Sequence, residues 1–197
     1  MSLPVSPSFI LLALSLALSG CFGVPLSSLP RLMRLDFVAM DFNEVRAGLR
    51  LPAGLALRPG DAVMTIRTRP EGGVETADRF VLAEADGPAE RAGLAEKAKA
   101  GFTLGVFRVE PHDVPRLAAL QARIRASQER GPRLRGSIDI RVSGGCIRGT
   151  VAEGPLPVSS YLKPGRGEMF ITLTEDVDLR QSIPSADWAE RMPRCAA

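Results

Sequence analysis

The chain has 197 residues, 45% of them apolar and 24% charged, which is ordinary globular usage and excludes a disordered polymer. Its 25 basic and 22 acidic side chains leave a net charge of +3, and every basic residue other than Lys97, Lys99 and Lys163 is arginine, a bias that reads as a GC-rich codon habit. The densest basic run, Arg123, Arg125, Arg130, Arg133 and Arg135, has no interleaved aromatics on which bases could stack, which argues against nucleic acid as a partner.

The first element in chain order is the apolar run Phe9 to Leu18. As a helix it would cover about 15 Å, half of a bilayer's hydrocarbon core, too short for a permanent span and suited to the apolar region of a secretory signal. Met1 to Ser8 holds no Lys or Arg, so the only positive charge there is the terminal amine.

The run ends in Leu18-Ser19-Gly20-Cys21, an aliphatic residue, two small ones and a cysteine. This resembles the lipobox of bacterial lipoproteins. The resemblance implies cleavage between Gly20 and Cys21, a diacylglyceryl thioether on Cys21 and acylation of the new amino group. Two or three acyl chains suffice for stable anchoring. In Gram-negative lipoproteins an aspartate after the cysteine favours inner-membrane retention; Phe22 stands there, so the resemblance points to the inner leaflet of the outer membrane, facing the periplasm. The implied organisation is a signal peptide over 1–20, a lipidated tether over 21–32 and a single globular β-rich domain over 33–197. The chain beyond Cys21 is long enough to bury roughly 70% of its unfolded surface without a metal.

With Cys21 acylated, Cys146 and Cys195 remain as a pair, and an oxidising compartment makes them a candidate disulfide. Closing the interval between them would remove about 4 kcal/mol of unfolded-state entropy. The alternative is two buried thiols, because sequence gives no distance between them.

Phe22 to Leu32 carries Pro25 and Pro30 around Ser27-Ser28 and is expected to be neither helix nor central strand. Leu35 and Phe37 on one side of the polar turn Asp41 to Glu44, and Val45, Leu49 and Leu51 on the other, suggest an opening pair of strands. After the turn Pro59-Gly60-Asp61, Met64 and Ile66 alternate with Thr65 and Arg67. Pro70 to Gly73 then folds that strand onto Val74 to Ala83 as a hairpin. Gly87 to Ala100 reads as a loop with about two helical turns, because Gly93 costs about 1 kcal/mol relative to alanine in a helix. Phe102 to Val109 returns to strand.

The one long helix is expected over about 113–129, capped by Asp113, with Pro115 in its first turn, Leu117, Leu120 and Ile124 on one face, and Gly131-Pro132 as its stop. Ser137 to Val142 alternates apolar and polar residues. Ser143 to Gly145 turns the chain onto a return strand, Cys146 to Val151. Leu156 to Leu162 and Glu168 to Thr174 form a last hairpin around Pro164-Gly165. Ser185 to Met192 is expected to be a short helix capped by Ser185. The summed expectation is a mostly β (α+β) domain, an antiparallel sandwich-like or meander arrangement of about eight strands with one packed helix.

Chemistry-bearing residues are few. His112 is the only histidine; it lies between a strand end and a helix start, where a solvated or capping role is the ordinary one, and no Gly-x-Ser-x-Gly motif accompanies it. One histidine and two paired cysteines supply no zinc ligand set. Glu175, Asp176 and Asp178 lack EF-hand spacing and read as a solvated strand exit with turn capping. Gly165-Arg166-Gly167-Glu168 lacks the third glycine of a dinucleotide fingerprint, and Tyr161 and Trp188 read as core plugs.

No cofactor, metal or catalytic residue is therefore expected. The leading reading is a non-catalytic, lipid-anchored interaction or assembly module with an envelope protein partner. One alternative is a periplasmic hydrolase using His112 or an acidic pair. The other is a carrier for a small apolar ligand, since β-rich domains with a helix can enclose cavities.

Overall fold

Alternation of apolar and polar residues dictates most of what the chain builds. The strands are β1 (Arg46–Pro52), β2 (Leu55–Ala56), β3 (Ala62–Pro70), β4 (Thr76–Glu84), β5 (Phe102–Val109), β6 (Leu134–Val142), β7 (Cys146–Ile147), β8 (Pro157–Lys163) and β9 (Ile171–Asp178). They come from a computed structural model that describes residues 25–85, 87–131, 134–149, 151 and 153–196. The apolar run, Gly20 and Cys21 lie outside the described residues.

Seven strands form one antiparallel sheet in the order β6-β3-β4-β5-β1-β8-β9, which curls until it is nearly closed; β2 and β7 pair separately. The fold is mostly β, of the α+β class, with one helix longer than two turns, α1 (Val114–Glu129), among the described residues. No helix among them is long and apolar enough to cross a membrane.

The concave face holds the main core. Leu49, Met64, Phe80 and Leu162 from the strands meet Leu117, Leu120 and Ile124 from α1. Each fully buried side chain of this size contributes roughly 1.5–3 kcal/mol by leaving water. The convex face has its own smaller cluster, Ala85, Val106, Tyr161 and Phe170, capped by Leu94 from the 87–100 segment. That segment contains the two helical turns expected, Pro88–Arg91 and Ala95–Lys97.

β1 is consequently buried on both faces, and its convex side carries two arginines. Arg46 donates to both oxygens of Glu90, at 2.5 and 2.8 Å. Arg50 donates to Asp176 Oδ1 at 2.8 Å and to Ser159 Oγ at 3.0 Å. A buried cation is tolerable only with such partners.

Several elements depart from expectation. Leu35 lies in irregular backbone and Phe37 in a turn, and β1 pairs with β5 and β8 instead of with them. The reason is local competition: Asp36 Oδ1 accepts from the Val38 amide at 3.0 Å, and Asp41 Oδ1 from the Asn43 amide at 3.0 Å, diverting backbone donors from a ladder. The return strand after Gly145 is only β7, and it pairs with β2, not β6. A side chain at Gly145 would meet Ala56 O at 2.9 Å, so glycine admits the close crossing that sets this pairing. Asp113 provides no side-chain cap to α1; a 3-10 turn, Pro111–Asp113, leads into the helix, and the carboxylate pairs with Arg116 at 3.3 Å. The tail is a 3-10 turn, Ser185–Asp187, followed by one helical turn, Trp188–Arg191, with no Ser185 cap. Residues 26–32, expected to be irregular, form a 3-10 turn and one helical turn, with Pro30 in the first-turn position where its missing N–H costs nothing.

Candidate functional site

A curled sheet that does not close leaves a seam. Here the seam lies between β6, paired only with β3, and β9, paired only with β8. It opens into a cleft of about 700 Å³. That is within the size range of sites that hold small organic ligands, roughly 300–1,000 Å³.

The floor is apolar and continuous with the core: Ile66, Ile124, Leu134, Ile138, Leu162 and Leu173. The outer wall comes from the N-terminal segment through Leu29, Leu32, Leu35, Phe37 and Val38. α1 holds this wall in place. Gln121 Nε2 donates to Phe37 O and to Met40 O, each at 2.8 Å, and Arg125 donates to Val38 O at 3.3 Å. Phe37 also packs edge-on against Phe42, centroids 5.3 Å apart.

The rim is polar, formed by Asp36, Arg67, Gln128, Asp139, Arg141 and Thr174. Three of its four charges pair with one another: Arg67 lies 3.9 Å from Asp139, and Arg141 hydrogen-bonds the same carboxylate, while Asp36 accepts from the Val38 amide. An apolar floor beneath a rim of internally paired charges discriminates by shape and hydrophobicity more than by net charge. The arrangement can desolvate a hydrocarbon chain and leave its polar end in water.

The residues singled out in the sequence lie elsewhere. The His112 side chain is 72% exposed; its Nδ1 lies 3.1 Å from Glu110 Oε2 and its Nε2 4.0 Å from Asp113 Oδ2, so both ring nitrogens face carboxylates and neither faces a nucleophile. No group of three His, Cys, Asp or Glu side chains among the described residues is placed to hold a metal.

Asp176 does more than end a strand. It has a positive φ of 48°, accepts from Arg50, and lies 3.2 Å from Lys99 Nζ. Burial pushes its carboxyl up, but Arg50 and Lys99 outweigh that and hold it below the ordinary aspartate range. Asp178 Oδ1 caps the turn Leu179–Ser182 through the Arg180 amide at 3.0 Å and also accepts from the Leu156 amide.

Tyr161 is a fully buried plug of the convex cluster. Burial pushes its phenol up against the opposing pull of Ser159 and Arg50; Ser159 is close but does not reach Oη in hydrogen-bond geometry. Trp188 is half-buried against the main core beneath Arg180, whose guanidinium sits 5.0 Å from the ring. Cys146 and Cys195 are joined as a disulfide, Cα atoms 4.8 Å apart, tying β7 to the tail. Cys21 and Gly20 lie outside the described residues.

Sequence reasoning does not reveal the cleft. Its walls come from stretches far apart in the chain, and the only local signal is the recurrence of Leu29 and Leu32, in the stretch read as a tether, and Leu35, in the stretch read as an opening strand. No family model, curated protein or solved structure matches the chain.

Proposed function

We propose that this is a non-catalytic, lipid-anchored protein of the bacterial envelope, facing the periplasm, that carries an elongated apolar ligand such as an acyl chain in the seam cleft. The observation that carries this reading is the cleft of about 700 Å³, whose apolar floor runs into the core while its rim stays polar. An amphiphile matches that division: the tail gains from burial at roughly 25 cal/mol per Å², and the head stays hydrated. The Leu18-Ser19-Gly20-Cys21 motif supports the anchor and the compartment.

The test is a titration of the purified chain with a fluorescent polyene fatty acid. One saturable site per chain is expected, lost in Ile138→Trp, which fills the cleft at the β6 edge, with circular dichroism unchanged. Absence of saturation, or equal binding by the variant, overturns the proposal. Anchoring is tested separately by Cys21→Ser, which should move the protein from the membrane to the soluble fraction.

One observation favours a second reading, an assembly module. The outer edges of β6 and β9 are unpaired among the described residues, and an extended segment of an envelope protein could add to either. Crosslinking in the native envelope would then recover a protein attached at β6 or β9 instead of a lipid in the cleft.

A further inference from the structure

Most large apolar side chains of the described residues are covered; five are not, and three of those fall in one short stretch. Leu26 and Met33 are 81% and 85% exposed and Leu29 is 40% exposed. They belong to, or directly follow, the consecutive turns Leu26–Ser28 and Leu29–Leu32. Their spacing of three and four places them along one side of the helical ribbon. The other side, Leu32 and Leu35, packs on the core. An uncovered stripe backed by a fixed one is built to meet an apolar phase.

Charge selects the phase. Arg31 and Arg34 are exposed beside the stripe, and the first acidic residue after Cys21 is Asp36. A short apolar stripe flanked by cations matches an anionic lipid surface, where the side chains sit at the boundary between head groups and acyl chains. Chain length fits as well: fully extended, the chain from Cys21 to Leu26 reaches at most about 17 Å. The same segment also forms the cleft wall through Leu29, Leu32 and Leu35.

We infer that Leu26, Leu29 and Met33, with Arg31 and Arg34, form a membrane-docking element that lies in the interface of an anionic bilayer and presents the mouth of the seam cleft to it. The inference rests on the proposed anchoring at Cys21, and it adds that the body of the protein lies on the lipid instead of swinging from it. A ligand could then pass between bilayer and cleft past Leu29 without crossing bulk water.

The experiment uses the full chain carrying Met33→Trp, purified from the envelope and reconstituted into vesicles of phosphatidylcholine and phosphatidylglycerol with or without brominated acyl chains. The parent chain, with Trp188 alone, sets the baseline, and intact mass reports the state of Cys21. The expected result is an acylated Cys21 together with a blue shift and loss of the added tryptophan emission in brominated vesicles, weaker when phosphatidylglycerol is omitted. Acylated protein whose added emission is not quenched overturns the docking inference and leaves the anchor intact. Unacylated protein that is still quenched upholds docking and overturns the anchor. Quenching that is the same without phosphatidylglycerol overturns the part assigned to Arg31 and Arg34.

Discussion

Gly48 lies directly beneath Leu94: a methyl group on Gly48 would stand 2.8 Å from Leu94 Cδ1, 3.2 Å from Tyr161 Cβ and 3.3 Å from Phe170 Cε1. The 87–100 segment is therefore seated on the convex face by a side chain that fits only because β1 has none at that point. Gly48→Ala should cost about 1–3 kcal/mol through overpacking. Leu94→Ala should cost about 2–5 kcal/mol through the cavity it leaves. In the double variant the two effects should fall short of their sum, since shortening Leu94 removes the clash. Urea unfolding of the four chains measures this, and strict additivity would show that the two residues do not share the site.

The same segment should loosen in acid. The Arg46 guanidinium beside Glu90 holds its carboxyl below the ordinary value of 4.5. Because the folded value is the lower one, the stabilisation is complete above about pH 4.5 and is lost as pH falls through the folded value. Asp176 acts in the same sense, burial opposing and Arg50 and Lys99 prevailing. Hydrogen exchange at the Leu94 amide, corrected for intrinsic rate, should be flat from about pH 6 to about pH 4.5 and accelerate below that. Glu90→Gln should flatten most of that dependence, and an unchanged profile in this variant would assign it elsewhere.

Opening the Cys146–Cys195 bond frees a tail that also donates from the Cys195 amide to Ile147 O at 3.1 Å and accepts from the Ile147 amide at Pro193 O at 2.8 Å. With a sequence separation of 49, the link should supply about 2–4 kcal/mol. Cys195→Ser, or reduction, should lower the melting temperature by roughly 5–15 °C for a chain of this size. A smaller change than that would mean that Met192 and the tail's backbone contacts hold it without the link.

Gln121 is the residue that fixes the wall of the cleft. Gln121→Ala removes the donor shared by Phe37 O and Met40 O and should cost about 1–3 kcal/mol. It should also raise the off-rate of a bound fluorescent fatty acid more than its on-rate, as loss of a retaining wall predicts. Stopped-flow displacement separates the two.

What could be read from the chain follows from how local each element's cause is. The β3–β4 hairpin is set by Pro70 to Gly73 between alternating runs, and β6 by Ile138, Ile140 and Val142, so both were legible. β1 was legible as a strand but not in its partners, because burial on both faces hides its periodicity and its neighbours β5 and β8 are distant in sequence. Leu35 and Phe37 misled because their pattern is strand-like while Asp36 and Asp41 capture the nearby amides. The acidic cluster hid an ion pair, since only folding brings Arg50 to Asp176. The cleft was illegible for the same reason: it is the space left where β6 and β9 fail to meet.

Among the described residues an incomplete cylinder leaves two end strands, β6 and β9, each with a strand partner on one side only. Arg135, Asp139 and Arg141 put charge along the β6 row, and that discourages two molecules from stacking end strand on end strand. Neutralising the three together should therefore promote edge-to-edge association, read as a rise in particle size by light scattering.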